Sequence, residues 1–325
     1  MFAPIAGPLL LYPFFAVMLS PTHSAAPFSP DAFSNDRFVL DCRGPSLDCR
    51  PGNADGHGAH VMGVLNATPD SFSDGGQFLA VEDAVSRAAE MLSEGASIID
   101  VGGESTRPGA DPVSAEVEKD RVLPVVEAIT DRFPEAILSV DTYKPAVAEA
   151  ALDAGAHIVN DVTGLRHHPE MADVAAAAGA PLVIMHSAGE PGDLTAPRDY
   201  ADVTAEVRDA LARSIETAEE AGVDSIIIDP GFGFGKSHTE NLRLINEIDE
   251  FLTLDRPLLM GVSRKSTIGA TLGSPNAPVP TDDRLFGSLG ATAVGVMRGA
   301  TLVRTHDVAA TLDMLTVLAA TLYSS

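Results

Sequence analysis

The chain has 325 residues, with 21 lysines and arginines against 46 aspartates and glutamates, and a formal net charge of −25. Such an acidic chain argues against a nucleic-acid partner, because affinity for phosphate backbones comes mainly from Lys and Arg. Hydrophobic residues make up 45%, enough for one large core, and the length suits a barrel of about 250 residues plus an extension.

Residues 1–36 read as a flexible extension. The first stretch is apolar, but it lacks the basic start of a secretory signal, and Pro4, Pro8 and Pro13 interrupt any helix. A spanning helix needs about 20 mostly apolar residues, so no membrane association is expected and a cytoplasmic location is. Residues 37–60 form the next unit. FVLDCRGPSLDCR reads as two short strands around a Gly44–Pro45 turn, a hairpin closing the bottom of the fold. Its Cys42 and Cys49 are too few for a disulfide framework and are expected to be reduced thiols.

From residue 61 to 325 a single pattern recurs. Eight short apolar runs each end in polar residues. VMGVL precedes Asn66, SIIDVGG precedes Glu104, AILSV precedes Asp141 and AHIV precedes Asn160. PLVIM precedes His186, DSIII precedes Asp229, PLLMGV precedes Ser263–Arg264–Lys265, and ATLV precedes Arg304–Thr305–His306. A stretch of helical periodicity follows each run. The first carries Val81, Ala84, Val85, Ala88 and Leu92 on one stripe and stops at Gly95. The second contains Pro124, which predicts a kink or break. The third has Pro145 in its first turn. TENLRLINEIDEFL is read as the sixth helix, RLFGSLGATAVGVMRG as the seventh and DVAATLDMLTVLAATL as the last. Eight strand–helix units predict an α/β fold, a (β/α)8 TIM barrel, with its active site at the C-terminal ends of the strands. The rival is a doubly wound open sheet. GFGFG at 231–235 is the one hint of its phosphate turn, but it follows the sixth strand and lacks the G-x-G-x-x-G spacing.

The strand ends together offer amides from Asn66 and Asn160, carboxylates from Asp141 and Asp229, and hydroxyls from Thr106, Ser263 and Ser266. Arg107, Lys265, Arg304 and His306 supply cationic or imidazole donors. Half of this ring suits a flat heterocycle with amide and amine edges, the other half a polyanion such as diphosphate. There is no Cys/His cluster for zinc and no Walker loop. NATPDSFSDGGQF and GGESTRPGADP are long turn-rich loops suited to closing over a substrate and excluding water. The plainer readings are that Asp141 or Asp229 caps the following helix and that Asp307 caps the last one. On the same footing His186 is a satisfied buried histidine, and Arg264 with Lys265 is a solvated pair.

NATPDSFSDGG, GGESTRPGA, SVDTYKP, NDV, DPGFGFGK, SRKS and RTHDV, in this order, resemble the dihydropteroate synthase family of pterin-binding barrels. The resemblance runs from about Phe38 to the C-terminus. It implies condensation of 6-hydroxymethyl-7,8-dihydropterin diphosphate with 4-aminobenzoate to give 7,8-dihydropteroate and diphosphate in folate synthesis. It also implies Mg2+, a homodimer and sensitivity to sulfonamides. Asp141, Asn160, Asp229 and Lys265 resemble the pterin-binding residues, with Met185 also among the substrate-binding set. Asn66 resembles the residue near magnesium and diphosphate, and Arg304 and His306 the diphosphate anion site. Thr106, Arg107 and Pro108 on the second loop, with Phe234 and Ser266, resemble the aminobenzoate side. The catalytic set implied is Asn66, Arg107, Asp141, Lys265, Arg304 and His306. Two places depart from the family pattern, the fifth loop MHSAGEPGDLTAPRDY and Tyr143 beside Asp141. Lys236, read as surface or rim, is left without a role. A pterin-binding methyltransferase would share the Asp/Asn edge but has no need of SRKS or of Arg304 and His306. A silent pterin-binding barrel would be expected to have lost Asn66, Arg107 or Lys265.

Overall fold

The computed structural model describes residues 36–50, 56–67, 77–105 and 111–323. The expected extension, apart from Asp36, and Thr106, Arg107 and Pro108 lie outside the described residues.

β1 (Val39–Asp41) and β2 (Ser46–Asp48) pair antiparallel as the expected hairpin. Arg43 and Gly44 turn the chain with φ of 59° and 136°. Eight strands follow: β3 (His60–Asn66), β4 (Ile98–Gly102), β5 (Ile137–Asp141), β6 (Ile158–Asp161), β7 (Leu182–Met185), β8 (Ile226–Asp229), β9 (Leu259–Met260) and β10 (Leu302–Thr305). Each pairs in parallel with the next, and β10 joins β3 to β9. A parallel bridge from Ile228 to Leu258, with Ile228 N donating to Pro257 O at 2.9 Å, brings β8 against the start of β9 and closes the ring. This is the (β/α)8 barrel that the eight runs imply, not an open sheet.

The helices are α1 (Gln77–Ser93), α2 (Ala115–Arg132), α3 (Pro145–Asp153), α4 (Met171–Ala178), α5 (Val203–Glu220), α6 (His238–Asn246), α7 (Ser266–Leu272), α8 (Leu285–Met297) and α9 (Val308–Tyr323). Three details differ from the sequence reading. Pro124 does not end α2, because Val122, Val125, Val126 and Ile129 bury one stripe against the core and outweigh one missing backbone bond. The sixth helix divides into α6 and a 3-10 segment over Ile248–Leu254, where the apolar residues recur every three positions rather than every 3.6. α7 is a helix additional to the eight expected.

The barrel interior is built in layers, because alternate residues of each strand face inward. The lowest layer takes one residue from every strand: Met62, Ile98, Ile137, Ile158, Val183, Ile227, Leu259 and Leu302. Leu40, Cys42, Leu47 and Cys49 of the hairpin pack on these eight side chains, so the hairpin stoppers the bottom as expected. Both cysteines are free and buried, and burial pushes the Cys42 thiol up to about 12. Two residues further along each strand the layer changes character. It holds Val64, Asp100, Ser139, Asn160, Met185, Asp229, Gly261 and Arg304. No helix among the described residues is long and apolar enough to cross a membrane.

Candidate active site

The polar layer lies directly above the apolar floor, and its residues hold one another. Asp100 on β4 is fully buried. Its Oδ2 accepts from Asn160 Nδ2 at 3.0 Å and from Arg304 Nε at 2.7 Å. Arg304 also donates through its Nη2 to Asp141 Oδ2 at 2.7 Å. One guanidinium therefore bridges two carboxylates from neighbouring strands and links three of the sequence-predicted residues, Asn160, Arg304 and Asp141. Gly261 lies beside this cluster: a Cβ there would meet Arg304 Cβ at 3.7 Å and Asp229 Oδ2 at 3.8 Å, ordinary contact distances.

Charge in a water-poor interior shifts ionisation. Burial pushes the Asp141 carboxyl up to about 7, with Asp100, Glu118 and Asp161 adding to the push and Arg304 opposing it. Burial likewise raises Asp229, against the pull of Lys265, the Gly231 amide, Lys236 and Arg304. Arg304 is held above its ordinary value, because Asp100, Asp141 and Asp229 outweigh the cost of burying it. Lys265 is pulled down to about 8, by burial first, with Asp229 working the other way.

The capping readings of the two aspartates fail. α6 is capped by Ser237 and Glu240 in a reciprocal capping box. The Asp229 side chain instead accepts from Gly231 N at 2.7 Å and so shapes the loop after β8. α3 begins at Lys144, with no side-chain cap and Pro145 in its first turn. Arg264 and Lys265 are not a solvated pair. Arg264 binds the Asp307 carboxylate, with Nε to Oδ2 at 2.9 Å, which removes Asp307 from the capping role expected of it. Lys265 turns the other way: its ammonium donates to the Phe232 carbonyl and lies 4.3 Å from the centre of the Phe234 ring.

A third layer lies at the strand ends. Asn66 ends β3, and Ser263 and His306 face each other with Ser263 Oγ 3.1 Å from His306 Nδ1. Ser266 is exposed at the first turn of α7. Met185 and Phe234 pack together with Tyr143, Val162 and Leu194 in a small apolar cluster at the rim. The two departures from the family pattern meet here, because Leu194 comes from the fifth loop. The Tyr143 hydroxyl donates to Glu104 Oε1 at 3.0 Å, and Lys144 bridges Glu104 and Glu118.

His186 is buried, as in the plainer reading, and is partnered through one ring nitrogen. Its Nδ1 lies 3.0 Å from Lys236 Nζ, and burial with Lys236, Arg198 and Arg166 nearby pushes the ring down to about 2, so it is neutral. Lys236 is neither surface nor rim. It is buried, and its Nζ also donates to the carbonyls of Gly231 at 2.8 Å, Phe234 at 3.0 Å and His186 at 3.3 Å. Burial pulls this lysine down to about 7. Four acceptors around one Nζ favour the ammonium and tie the loop that carries Phe234 to the end of β7.

Strand-end reasoning missed Asp100, Ser139 and Lys236. The first two were recoverable by stepping back two residues from Gly102 and Asp141 to the next inward-facing position. The Oδ1 of Asp100 and the hydroxyl of Ser139 are buried without a partner among the described residues. Lys236 gave no periodic signal, since it lies in a loop.

Comparison with known proteins agrees with this geometry. Residues 62–306 match the family described as pterin binding enzyme. The Escherichia coli K12 dihydropteroate synthase is 47% identical over 265 residues, covering 81% of this chain and 92% of that one. A probable bifunctional folylpolyglutamate synthase/dihydropteroate synthase of Haloferax volcanii is 49% identical over 253 residues; the match covers 77% of this chain but 29% of the relative. Among solved structures, the Xanthomonas albilineans dihydropteroate synthase with 4-aminobenzoic acid superimposes with a TM-score of 0.79 at 43% identity, covering 88% of this chain and 98% of that one. The same enzyme in complex with 7,8-dihydropteroate gives 0.76 at 41% identity, covering 88% and 99%. With a family match over most of its length and relatives at this identity, the chain belongs to the pterin-binding enzymes, within their dihydropteroate synthases.

Proposed function

We propose that this chain condenses 6-hydroxymethyl-7,8-dihydropterin diphosphate with 4-aminobenzoate to give 7,8-dihydropteroate and diphosphate. The observation that carries the reading is the self-paired polar cluster of Asp100, Asp141, Asn160 and Arg304, with Asp229 beside it, set on an apolar floor at the C-terminal ends of the strands. A carboxylate and an amide on one wall suit the amide and amine edges of a pterin. Asn160 and Asp229 take that part, with Met185 against the ring and Lys265 at its other edge. Asn66, Arg304 and His306 serve the diphosphate end. Thr106, Arg107 and Pro108 of the second loop, with Phe234 and Ser266, serve the aminobenzoate.

The step is loss of diphosphate from the pterin methylene, followed by attack of the neutral arylamine. Asp141 carries its carboxylate next to Arg304 and favours the positive charge that develops as the leaving group departs. No strong base is required, because the arylamine is uncharged at neutral pH. The described residues hold no group of three or more His, Cys, Asp or Glu side chains able to bind a metal by themselves. That fits magnesium, which takes few protein ligands and shares substrate phosphates. Asn66 would hold it, and when bound it neutralises charge on the diphosphate. Roughly 7–11 kcal/mol of the barrier is within reach of alignment of the two reactants alone.

A homodimer completes the reading. α8 exposes Phe286 (83%), Val294 (41%) and Met297 (51%), with Gly290 between them, along one face. An apolar stripe of this kind suits a second copy of the chain better than water. A cytoplasmic location follows from the substrates. The test is direct: supply the pterin diphosphate, 4-aminobenzoate and magnesium to purified protein and follow dihydropteroate and diphosphate together. Absence of product from folded protein overturns the reading.

A further inference from the structure

On the outer side of the barrel top, behind Met185 and His186, a second cavity opens between the strand ends and α5. Its volume is about 230 Å³. A cavity of about 150 Å³ is enough to hold benzene, so this one has room for a small branched or cyclic molecule. Three segments enclose it: the turn after β6, the end of β7, and the inner side of α5 from Ala210 to Thr217.

The turn after β6 is specially built. Gly164 and Leu165 both take left-handed backbone angles, with φ of 61° and 65°. Leu165 has no glycine's freedom, so the conformation is strained. Asp161, the partner of Asn160 in the NDV motif, holds it in place. Its carboxylate faces away from the barrel interior and accepts from Thr163 N at 2.8 Å, Thr163 Oγ1 at 2.7 Å and Leu165 N at 2.7 Å. Asn160 thus serves the pterin side of the strand and Asp161 the cavity side.

Two donors in the cavity wall lack acceptors. The Ser187 hydroxyl is buried and has no hydrogen-bond partner among the described residues. Lys236 donates to His186 Nδ1, which fixes the imidazole proton on Nε2. That N–H has no hydrogen-bond acceptor among the described residues, and His186 lines the cavity. Two guanidinium groups stand at the mouth. Arg166 already serves the carbonyls of Ala188 and Gly189. Arg213 makes no ion pair among the described residues, in a chain with 46 acidic side chains. Leu165, Met185 and Leu211 supply an apolar wall. Unpaired donors beside an apolar surface define the complement of an acid with a hydrocarbon body.

We propose that this cavity is a binding site for a small organic carboxylate, distinct from the barrel-top site, its anionic end held by His186, Ser187 and Arg213. His186 and Met185 are shared walls. Met185 packs on Phe234 and Tyr143 of the rim cluster, and His186 is tied through Lys236 to the loop bearing Phe234. An occupant therefore touches the back of the site that it does not enter.

The probe is 3-methylbutanoate, with 3-methylbutanamide as its neutral counterpart, titrated into the full chain carrying isotope-labelled histidine and followed by NMR. The expected result is a saturable shift of the His186 ring signals by the carboxylate, retained when 7,8-dihydropteroate fills the barrel top. The amide binds at least about tenfold more weakly, as loss of a charge-assisted bond requires. Ser187→Ala and Arg213→Gln each weaken the carboxylate by about tenfold and leave both substrate KM values unchanged. The proposal is overturned if the amide binds as well as the acid, if dihydropteroate displaces the acid, or if both variants bind it like the parent. It is equally overturned if the His186 signals do not move at all.

Discussion

Replacing Asp100 by asparagine removes one charge from the barrel interior and leaves its shape intact. Asp100 uses only Oδ2, which accepts from Asn160 at 3.0 Å and Arg304 at 2.7 Å, while Oδ1 is buried and unpartnered. The amide oxygen of the variant can occupy the Oδ2 position and keep both bonds. The amide nitrogen then falls where Oδ1 was, with no acceptor. A hydrogen bond to a charged group is worth about 1.5–3 kcal/mol and a neutral one about 1 kcal/mol. The Arg304 contact therefore loses about 0.5–2 kcal/mol, and the stranded N–H costs a further 1–3 kcal/mol or so of fold stability. If Arg304 acts in the transition state, kcat/KM for the pterin diphosphate falls roughly 2- to 30-fold.

The pH dependence gives an independent readout. Asp100 is one of the neighbours that push Asp141 up to about 7. With Asp100 neutral that push disappears, so Asp141 ionises at lower pH. The mechanism needs the Asp141 carboxylate, so activity of the parent rises as pH increases through about 7, and the rise in Asp100→Asn moves toward acid. Stability follows the opposite sign. A carboxyl raised above its ordinary value of 3.8 binds a proton on folding, so its contribution to stability is lost as pH climbs from that value toward about 7. The variant loses less across that window. Initial rates of diphosphate release and thermal melts, each taken from mildly acidic to mildly alkaline pH, measure both effects. An unchanged kcat/KM with an unmoved inflection would refute the reasoning.

Lys236→Met keeps the stem and strips the ammonium from four acceptors, so the melting temperature should fall and KM for 4-aminobenzoate should rise through the displaced Phe234 loop; an unchanged KM removes the loop-holding role. Arg304→Ala should weaken the diphosphate substrate more than the bare pterin alcohol, and equal losses on the two would remove its anion role. Phe286→Glu buries a charge in the proposed dimer face, and sedimentation should show the mass halved relative to the parent; a parent already monomeric contradicts the dimer. Ser237→Ala removes the α6 cap and should cost about 1 kcal/mol of stability with kinetics unchanged, in contrast to any change at Asp229.

The strand ends were legible because an apolar run closing on a polar residue has one meaning in a parallel barrel: the run is core and the polar residue faces the mouth. Asn66, Asp141, Asn160, Asp229 and Arg304 could be placed on that argument. It stops at the last residue of each run, so it passed over Asp100 and Ser139, which lie one inward step lower inside what reads as continuous core. It also left open which partners the residues choose. Arg304 reads as a free anion donor, and in the fold its guanidinium is shared between Asp100 and Asp141. Lys236 and Asp307 were misjudged for the same reason, since His186 and Arg264, which hold them, come from segments distant in sequence. The run PLLMGV reads as a strand, but its regular part, β9, is only Leu259 and Met260, so its short length was not legible.

The layered interior also explains why the site takes the charge it does. A lone guanidinium in a dry barrel is costly, and carboxylates bonded to it offset that cost only where the geometry is good. Here Asp100, Asp141 and Asp229 stand against Arg304, Lys265 and Lys236, three charges of each sign when all are ionised. Burial nevertheless resists the negative charge of the carboxylates, as the raised Asp141 and Asp229 show. The resistance is relieved when positive charge appears above the layer, as it does when diphosphate leaves the pterin methylene. The same carboxylates would repel a free diphosphate, which in the proposed reaction is met by Arg304 together with His306 and Asn66. Floor, carboxylate layer and strand-end donors thus divide the proposed reaction by height along the barrel, and Asp100 is the group whose neutralisation should flatten that division first.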